Sequence, residues 1–182
     1  GVTISVTDVN EAPSFSSSAT FSAAENQTSI GGVSVNDPEG ASLTYSLSGS
    51  DASLLAISSS GVLSFVSAPD FETKSSYTAT VSATDGASPV TQDITVTVTN
   101  VNEAPSFSSS ATFSAAENQT SIGSVSVNDP EGASLTYSLS GSDASLLAIS
   151  SSGVLSFISA PDFETKSSYT ATVTATDGAN PV

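Results

Sequence analysis

The chain has 182 residues, and its composition excludes several classes of function. It carries 18 acidic residues and only 2 basic ones, giving a formal net charge of −16 at pH 7. Because nucleic acids and anionic membranes are also negative, we expect the chain to bind neither. It contains no Cys and no His, which excludes disulfides and disfavours zinc and copper sites. No apolar run approaches the roughly 20 residues that a membrane-spanning helix needs.

A repeat of 92 residues organises the sequence. Residues 1–90 align with residues 93–182, and 81 of these 90 aligned positions are identical. This period is too long for one unit of a solenoid and is typical of a complete β-sandwich domain. The sequence is therefore interpreted as an array of near-identical domains.

Each copy contains about seven predicted strands, in which apolar residues alternate with Ser and Thr. In chain order the first copy has them at Ser14–Ala23 with a break, around Val33 and Val35, at Ser42–Gly49, around Leu55 and Ile57, at Val62–Phe65, at Ser76–Thr84 and at Asp93–Asn100. Gly, Pro, Asn and Asp fill the intervening segments, and no segment has a helical period. The pattern predicts an all-β fold of tandem seven-stranded β-sandwich domains.

The boundary between copies is predicted at the segment NVNEAP, where Pro105 lacks a donor and keeps the preceding residue extended. On this division residues 1–8 are the last strand of a preceding repeat. Residues 9–100 form a complete repeat, and residues 101–182 form a second repeat without its last strand. We expect the 182 residues to belong to a longer chain. The alternative is that the strand Val2–Thr7 completes the second repeat of a neighbouring molecule, giving head-to-tail filaments.

Most of the acidic residues lie in predicted turns and at strand ends. This group of 14 comprises Glu11, Glu25, Asp37, Glu39, Asp70, Glu72, Asp85, Glu103, Glu117, Asp129, Glu131, Asp162, Glu164 and Asp177. The remaining acids are Asp8, Asp51, Asp93 and Asp143. Taken singly, motifs such as DPEG are ordinary turns and NEAP is an ordinary linker. It is their recurrence together that favours a common role.

The order of these motifs resembles the cadherin repeat. AxEN is followed by DPEG before the strand LTYSL, then by GxLxF, PDFE and YxxxVxAxDG, and finally by the linker VxNVNEAPxF. The likeness covers a whole copy and is greatest to the cadherin-like repeats of bacterial surface adhesins. It implies Greek-key sandwich domains of the cadherin or immunoglobulin type, joined end to end, at the cell surface or outside the cell. It also implies calcium, about two to three ions per junction between domains.

The resemblance implies a set of calcium ligands for the central junction. These are Glu25, Asp70 and Glu72 from the first repeat, the side chains of Asn102 and Glu103 with the carbonyls of Val101 and Ala104 from the linker, and Asp129, Glu131 and Asp177 from the second repeat. The corresponding positions elsewhere are Asn10, Glu11, Asp37, Glu39, Asp85, Glu117, Asp162 and Glu164. The chain departs from the family pattern at Glu103 and Glu131, where Asp is usual, at Phe71, where Arg is usual, and at Asn100, whose counterpart is Asp8.

The chemistry of the residues also favours calcium, which takes about six to eight oxygen ligands and needs neither nitrogen nor sulfur. About three divalent ions would nearly neutralise the seven carboxylates of the central junction, which would repel one another without metal. We therefore expect a calcium-rigidified spacer of a long adhesin, matrix protein or fibre, with neighbouring repeats as its partners. The alternative is an adhesive module that binds glycans or like domains through its sandwich faces. An enzyme is not expected, because no His is present and acid pairs such as Asp70 and Glu72 recur in every copy.

Overall fold

The computed structural model describes all 182 residues and divides them into two compact units, Gly1–Val101 and Asn102–Val182. All regular structure is β except for two short 3-10 helices at Ala52–Leu54 and Ala144–Leu146. The predicted all-β class is confirmed. No helix of the structure has the length and apolar character that crossing a membrane requires.

The first unit contains nine strand segments. They are β1 (Ser14–Phe15), β2 (Thr20–Ala24), β3 (Ser29–Gly32), β4 (Val35–Asn36), β5 (Thr44–Ser48), β6 (Leu55–Ile57), β7 (Val62–Phe65), β8 (Ser76–Thr84) and β9 (Pro89–Thr99). One sheet has the order β2-β9-β8-β5, a second has the order β3-β7-β6, and β1 pairs with β4. β2 runs parallel to β9, whereas all other pairs are antiparallel.

Two predicted strands differ in detail from the observed ones. The opening strand is divided into β1 and β2, as expected, but the second strand is also divided, into β3 and β4. Val33 lies between these two segments because its N–H donates to the Gly61 carbonyl, at 2.9 Å, outside the regular ladder. The last strand begins at Pro89 and not at Asp93, since the hairpin extends to the pair Thr84 and Pro89. Proline is tolerated there because it is the first residue of the strand.

The core of the first unit lies between its two larger sheets, which form a sandwich. Alternate residues of β8 and β9 point inward, so that Val81 and Val96 are completely buried. Leu63 of the opposing sheet is also completely buried. The rings of Phe65 and Tyr77 meet edge to face with centroids 5.0 Å apart. Burial of each large aliphatic side chain contributes about 1.5–3 kcal/mol to folding.

The second unit contains seven strand segments. They are β10 (Ser106–Phe107), β11 (Ser121–Ser124), β12 (Val127–Asn128), β13 (Thr136–Ser140), β14 (Leu147–Ile149), β15 (Val154–Phe157) and β16 (Thr172–Thr176). Their pairs are β11-β15-β14, β13-β16 and β10-β12. The pairing repeats that of the first unit, except that no strand corresponds to β2 or β9 and that β16, the counterpart of β8, is shorter.

The counterparts of β2 and β8 in the second unit flank the position that β9 fills in the first unit. Residues 112–116, which correspond to β2, form no strand, and β16 begins four residues later than β8 does. Between them lies a cleft of about 610 Å³, which we call the open slot; it is lined by residues that include Phe113, Leu155, Phe157, Tyr169 and Val173. Phe113 is 38 % exposed, although its counterpart Phe21 packs against the core.

Candidate metal centre

The acidic residues of each unit form two groups, one at each end of the sheet. Because β8 and β9 are antiparallel, the end of β9 and the start of β8 lie together, far from the Thr84–Pro89 hairpin. The group where the chain leaves the unit, here called the exit group, comprises Glu25, Asp70 and Glu72 in the first unit and Glu117, Asp162 and Glu164 in the second. The group where the chain enters, the entry group, comprises Asn10, Glu11, Asp37, Glu39 and Asp85 in the first unit and Asn102, Glu103, Asp129, Glu131 and Asp177 in the second.

Glu25 organises the exit group of the first unit. It follows directly after β2 and is only 2 % exposed. One carboxylate oxygen accepts the N–H of Val101 at 2.7 Å, and the other accepts the N–H of Phe71 at 2.8 Å. The N–H of Asn26, which has a positive φ of 61°, donates to the Pro69 carbonyl. These bonds hold the PDFE loop and the start of the linker against the end of the sheet.

The other two acids of this exit group have different surroundings. The Asp70 carboxylate accepts the N–H and the hydroxyl of Thr73, at 3.1 and 2.9 Å. Glu72 accepts the side-chain amide of Asn100 at 2.7 Å, and its carboxylate lies within 4.8 Å of that of Glu25. The structure thus brings Glu25 and Glu72 together, whereas the Asp70 carboxylate is bonded within its own loop.

In the entry group of the first unit, Asp85 is held by three donors. Its carboxylate accepts the backbone N–H groups of Ser88 and Ala87, both at 2.8 Å, and the side-chain amide of Asn10 at 2.7 Å. The Ser88 N–H, followed by the Asn10 amide and the Ala87 N–H, lowers the pKa of Asp85 to about 2. Asp85 is therefore negatively charged at neutral pH and holds the linker by way of Asn10.

Two further acids of this entry group face each other. The backbone N–H of Glu11 donates to the Glu39 carboxylate at 3.3 Å. A side-chain hydrogen bond to Glu39 and the negative charge of that residue raise the pKa of Glu11. Nearby, one oxygen of Asp37 accepts the N–H of Ala41 at 2.8 Å, while the other is buried with no hydrogen-bond partner. A cation would relieve the repulsion between these carboxylates.

The entry group of the second unit repeats this geometry. Asn102 donates to Asp177 at 2.6 Å, and the N–H of Glu103 donates to Glu131 at 3.2 Å. The Asn102 side chain, first among several donors, lowers the pKa of Asp177. Asp129 accepts the N–H of Ala133 through one oxygen.

Two carboxylate oxygens of this entry group lack a donor. The Oδ2 atom of Asp129 and the Oε2 atom of Glu131 are buried and have no hydrogen-bond partner. An unsatisfied buried acceptor costs about 1–3 kcal/mol, more when it is charged. Hard oxygen ligands with spare lone pairs are the donors that calcium prefers, so the residues present fit a calcium ion.

The exit group of the second unit is a compact acidic cluster. Carboxylate oxygens of Glu117, Asp162 and Glu164 all lie within 4.8 Å of one another, and all three residues are exposed. The Thr165 hydroxyl donates a hydrogen bond to the Asp162 carboxylate at 2.8 Å, and this bond is the main reason that the pKa of Asp162 is lowered. Three charged carboxylates within this distance can bind a divalent cation, although exposed acids also gather without one.

Asp51 and Asp143, which lie outside the two groups, have structural partners that the sequence did not indicate. Lys74 forms an ion pair with Asp51 at 3.0 Å and lies 5.0 Å from the ring centre of Tyr77. Asp51 also accepts a hydrogen bond from the N–H of Thr78, and this bond is the largest of the interactions that lower the pKa of Asp51. Lys166 and Asp143 repeat the ion pair in the second unit.

One further polar residue of the second entry group was also missed. The side chain of Asn180 donates to the carbonyl of Asn102 at 3.4 Å. Its counterpart in the first unit is Ser88, and this is one of the nine positions at which the copies differ. That difference is the signal that sequence reasoning could have used.

Comparison with known proteins gives structural matches only. No family model matches the sequence, and none of the curated proteins does either. The structure is similar to human protocadherin-24 EC1-2, with a TM-score of 0.62, 23% identity and coverage of 96% of this chain and 95% of that one. It is also similar to mouse cadherin-23 EC22-24, with a TM-score of 0.64, 27% identity and coverage of 97% and 63%.

A third match, Drosophila N-cadherin EC1-4, has a TM-score of 0.64 at 25% identity and covers 91% of this chain and 45% of that one. The fold is that of cadherin extracellular domains. Within this cadherin fold, each unit carries an entry group and an exit group built from the same sequence positions. The sequence resemblance and the structure therefore agree on the fold.

Proposed function

We propose that this chain is a calcium-rigidified spacer of a long extracellular or cell-surface protein, such as an adhesin, a matrix protein or a fibre. Its cadherin-type units are Greek-key sandwiches joined end to end, and the neighbouring repeats of the same protein are their partners. Calcium binds where the exit group of one domain meets the linker and the entry group of the next. About two to three ions occupy each junction, as the seven carboxylates require for charge balance.

The observation that carries this proposal is the pair of unsatisfied buried oxygens on Asp129 and Glu131. Protein folds rarely bury a charged acceptor without a partner, and a calcium ion would satisfy both atoms. The same situation recurs at Asp37 in the first unit, where one oxygen is buried without a partner. Recurrence at equivalent positions argues for a ligand common to both entry groups.

The remaining ligands have separate tasks in this proposal. Glu25, Glu72 and Asp70 supply carboxylate oxygens from the exit group, and Asn102 and Glu103 supply side-chain oxygens from the linker. The carbonyls of Val101 and Ala104 complete the set, together with Asp129, Glu131 and Asp177 from the entry group. Bound calcium supplies the positive charge that allows these carboxylates to lie close together.

The sheet faces support a spacer more than an adhesive surface. In the sheet β2-β9-β8-β5 the register aligns Thr20, Thr95 and Thr78 on one outward row and Ser22, Thr97 and Ser76 on the next. These hydroxyls are small and well solvated, whereas interaction hot spots are typically Trp, Tyr or Arg. Near-identical domains with such faces are suited to setting length.

Calcium binding is tested by melting and scattering experiments with the 182-residue chain. Adding calcium in the millimolar range should raise the melting temperature and reduce the spread of conformations seen by solution scattering, and a chelator should reverse both. Asp129→Asn should weaken the response at least several-fold. The matched control is Asp93→Asn, which removes one charge from the sheet face, where Asp93 accepts only the Thr80 hydroxyl. If neither the melting temperature nor the scattering changes with calcium, the proposed function is wrong.

A further inference from the structure

Both cations of this strongly acidic chain lie in loops that carry acids of an exit group. Lys74 follows Asp70 by four residues and Glu72 by two, and Lys166 has the same spacing in the second unit. Lysine carries its charge on a long, flexible stem, so its ammonium group can approach carboxylates that are near in the chain. An ammonium group that pairs with the exit group competes with calcium for the same oxygens.

In the first unit the ammonium group of Lys74 is bound on the side of β8. It forms an ion pair with the Asp51 carboxylate at 3.0 Å and lies 5.0 Å from the centre of the Tyr77 ring. The side chain of Lys74 is 39% exposed, whereas that of Asp51 is 14% exposed. The acid is therefore the more deeply buried partner of this ion pair.

Asp51 is itself fixed to β8 through its backbone and its side chain. Its carboxylate Oδ2 accepts the N–H of Thr78 at 2.8 Å, and its backbone N–H donates to the Thr78 carbonyl at 3.2 Å. The other carboxylate oxygen, Oδ1, is the one that contacts Lys74. Because Asp51 is held at a fixed place on the sheet, it holds the ammonium group there too.

The turn between Asp70 and Lys74 separates the cation from the acids. The N–H of Lys74 donates to the Asp70 carbonyl at 2.9 Å and closes the turn. Within it, the N–H of Phe71 donates to Glu25 at 2.8 Å, and the Glu72 carboxylate lies within 4.8 Å of that of Glu25. The turn thus presents Glu72 to the exit group and the ammonium group to β8.

We propose that Asp51 keeps the Lys74 ammonium group away from the exit group, so that the carboxylates there remain available to calcium. Asp51 is a positioning residue: it contacts no ion itself and acts through Lys74. This inference rests on the proposed calcium function, and it adds a residue that determines the affinity of the site without being a ligand.

The second unit repeats the arrangement. Lys166 forms an ion pair with Asp143 and lies 5.1 Å from the centre of the Tyr169 ring. Asp143 is 7% exposed. The exit groups of the two units differ, since Glu117 is exposed where Glu25 is buried. The ion pair is therefore kept even where the surroundings of the exit group change.

The experiment follows calcium binding at the exit group by NMR, through amides that donate to its buried glutamate. In the first unit these are the amides of Phe71 and Val101, which donate to Glu25. Asp51→Asn should weaken binding there several-fold, because the new side chain can still accept the Thr78 N–H but no longer neutralises the ammonium group. Measurement at about 0.15 M ionic strength limits the influence of distant charges.

A second substitution separates this effect from a simple change in net charge. Lys74→Met keeps an apolar stem over Tyr77 and should change the affinity by less than about twofold on its own. In the Asp51→Asn background the same substitution should restore the affinity of the unaltered chain, because no ammonium group is left to compete. Two charges that acted independently would instead give effects that add.

The chain supplies two matched controls. In the second unit the ion pair is unaltered, so the Phe163 amide, which donates to Glu117, should respond to calcium as in the unaltered chain. Asp93→Asn removes one charge from the sheet face and gives the size of a general charge effect. Melting of each variant in chelator shows that it is folded.

Three outcomes are distinguishable. Calcium binding in Asp51→Asn as tight as in the unaltered chain would overturn this inference alone. The same holds if Lys74→Met weakens binding as much as Asp51→Asn does and the double variant recovers nothing, because the ion pair would then only anchor the loop. If the amides of Phe71 and Val101 do not respond to calcium even in the unaltered chain, the proposed function fails and this inference fails with it.

Discussion

At the scale of single residues, near-identical copies place the same side chain in two environments. Glu25 is buried and accepts two short backbone hydrogen bonds, at 2.7 and 2.8 Å. Glu117, its counterpart, is exposed and accepts the N–H of Phe163 at 3.3 Å. The residue type is the same, so the difference comes from the surroundings. In the first unit Glu25 has a structural role in addition to any role as a metal ligand.

This comparison gives a prediction about Glu25. In the Glu25→Gln variant one acceptor becomes an NH₂ group that faces a backbone N–H, so the first unit should lose about 1–3 kcal/mol of stability even in chelator. Glu117→Gln should have little effect because that residue is exposed. Native-state hydrogen exchange of the β8 and β9 amides measures the loss. Equal effects of the two variants would contradict a structural role for Glu25.

The sequence predicts residue roles unevenly, and the reason is physical. It predicted that most of the acids lie in turns and at strand ends, because those positions follow from local pattern. It did not indicate that Asp51 would pair with Lys74 and the N–H of Thr78, since these partners meet only after β8 has folded beside the 3-10 helix. It also placed Asp70 among the ligands without anticipating that Thr73 would hold its carboxylate.

At the scale of strands, the alternating pattern predicts position well and pairing poorly. Segments such as β5 and β8 lie within a residue or two of their predicted limits. Residues 112–116, however, have the same sequence as β2 and form no strand, because their parallel neighbour is missing. A strand is defined by its partners as well as by its own residues, and no local pattern contains that information.

The contribution of β9 to the stability of the first unit can be measured with a matched pair of variants. Ile94→Ala should destabilise the first unit by about 2–5 kcal/mol, because Ile94 is 2 % exposed in the packed core. Ile4→Ala, measured at high dilution, should leave that unit unchanged, because Ile4 is 82% exposed. Chemical denaturation monitored at the β8 and β9 amides provides both values. A similar loss from Ile4→Ala would mean that residues 1–8 pack on the first unit.

At the scale of the whole molecule, the two units differ in how deeply their side chains are buried, although their sequences are nearly the same. The first has a closed core, whereas in the second Phe113 and Phe163 are 38 % and 62 % exposed. Aromatic side chains that stay exposed contribute less hydrophobic stabilisation than buried ones, so the second unit should unfold at a lower temperature than the first. The resulting expectation is a two-step thermal transition for the dilute chain.

This expectation is checked by calorimetry combined with hydrogen exchange that resolves the two units. The lower transition should belong to residues 102–182, and it should shift upward when a synthetic peptide with the sequence of Gln92–Asn100 is added. The upper transition should not respond to the peptide. A single transition in which both units lose protection together would show that they unfold as one.

The parallel pairing of β2 with β9 has a mechanical consequence. Tension along the chain pulls β2 toward its amino end and β9 toward its carboxyl end, so the strands are sheared past each other. All five residue pairs between them, from Thr20–Thr95 to Ala24–Thr99, then bear the load together. A hairpin pulled apart at its open end would instead break one pair at a time. The resistance of such a unit to stretching therefore depends on β9, the last strand in its sequence.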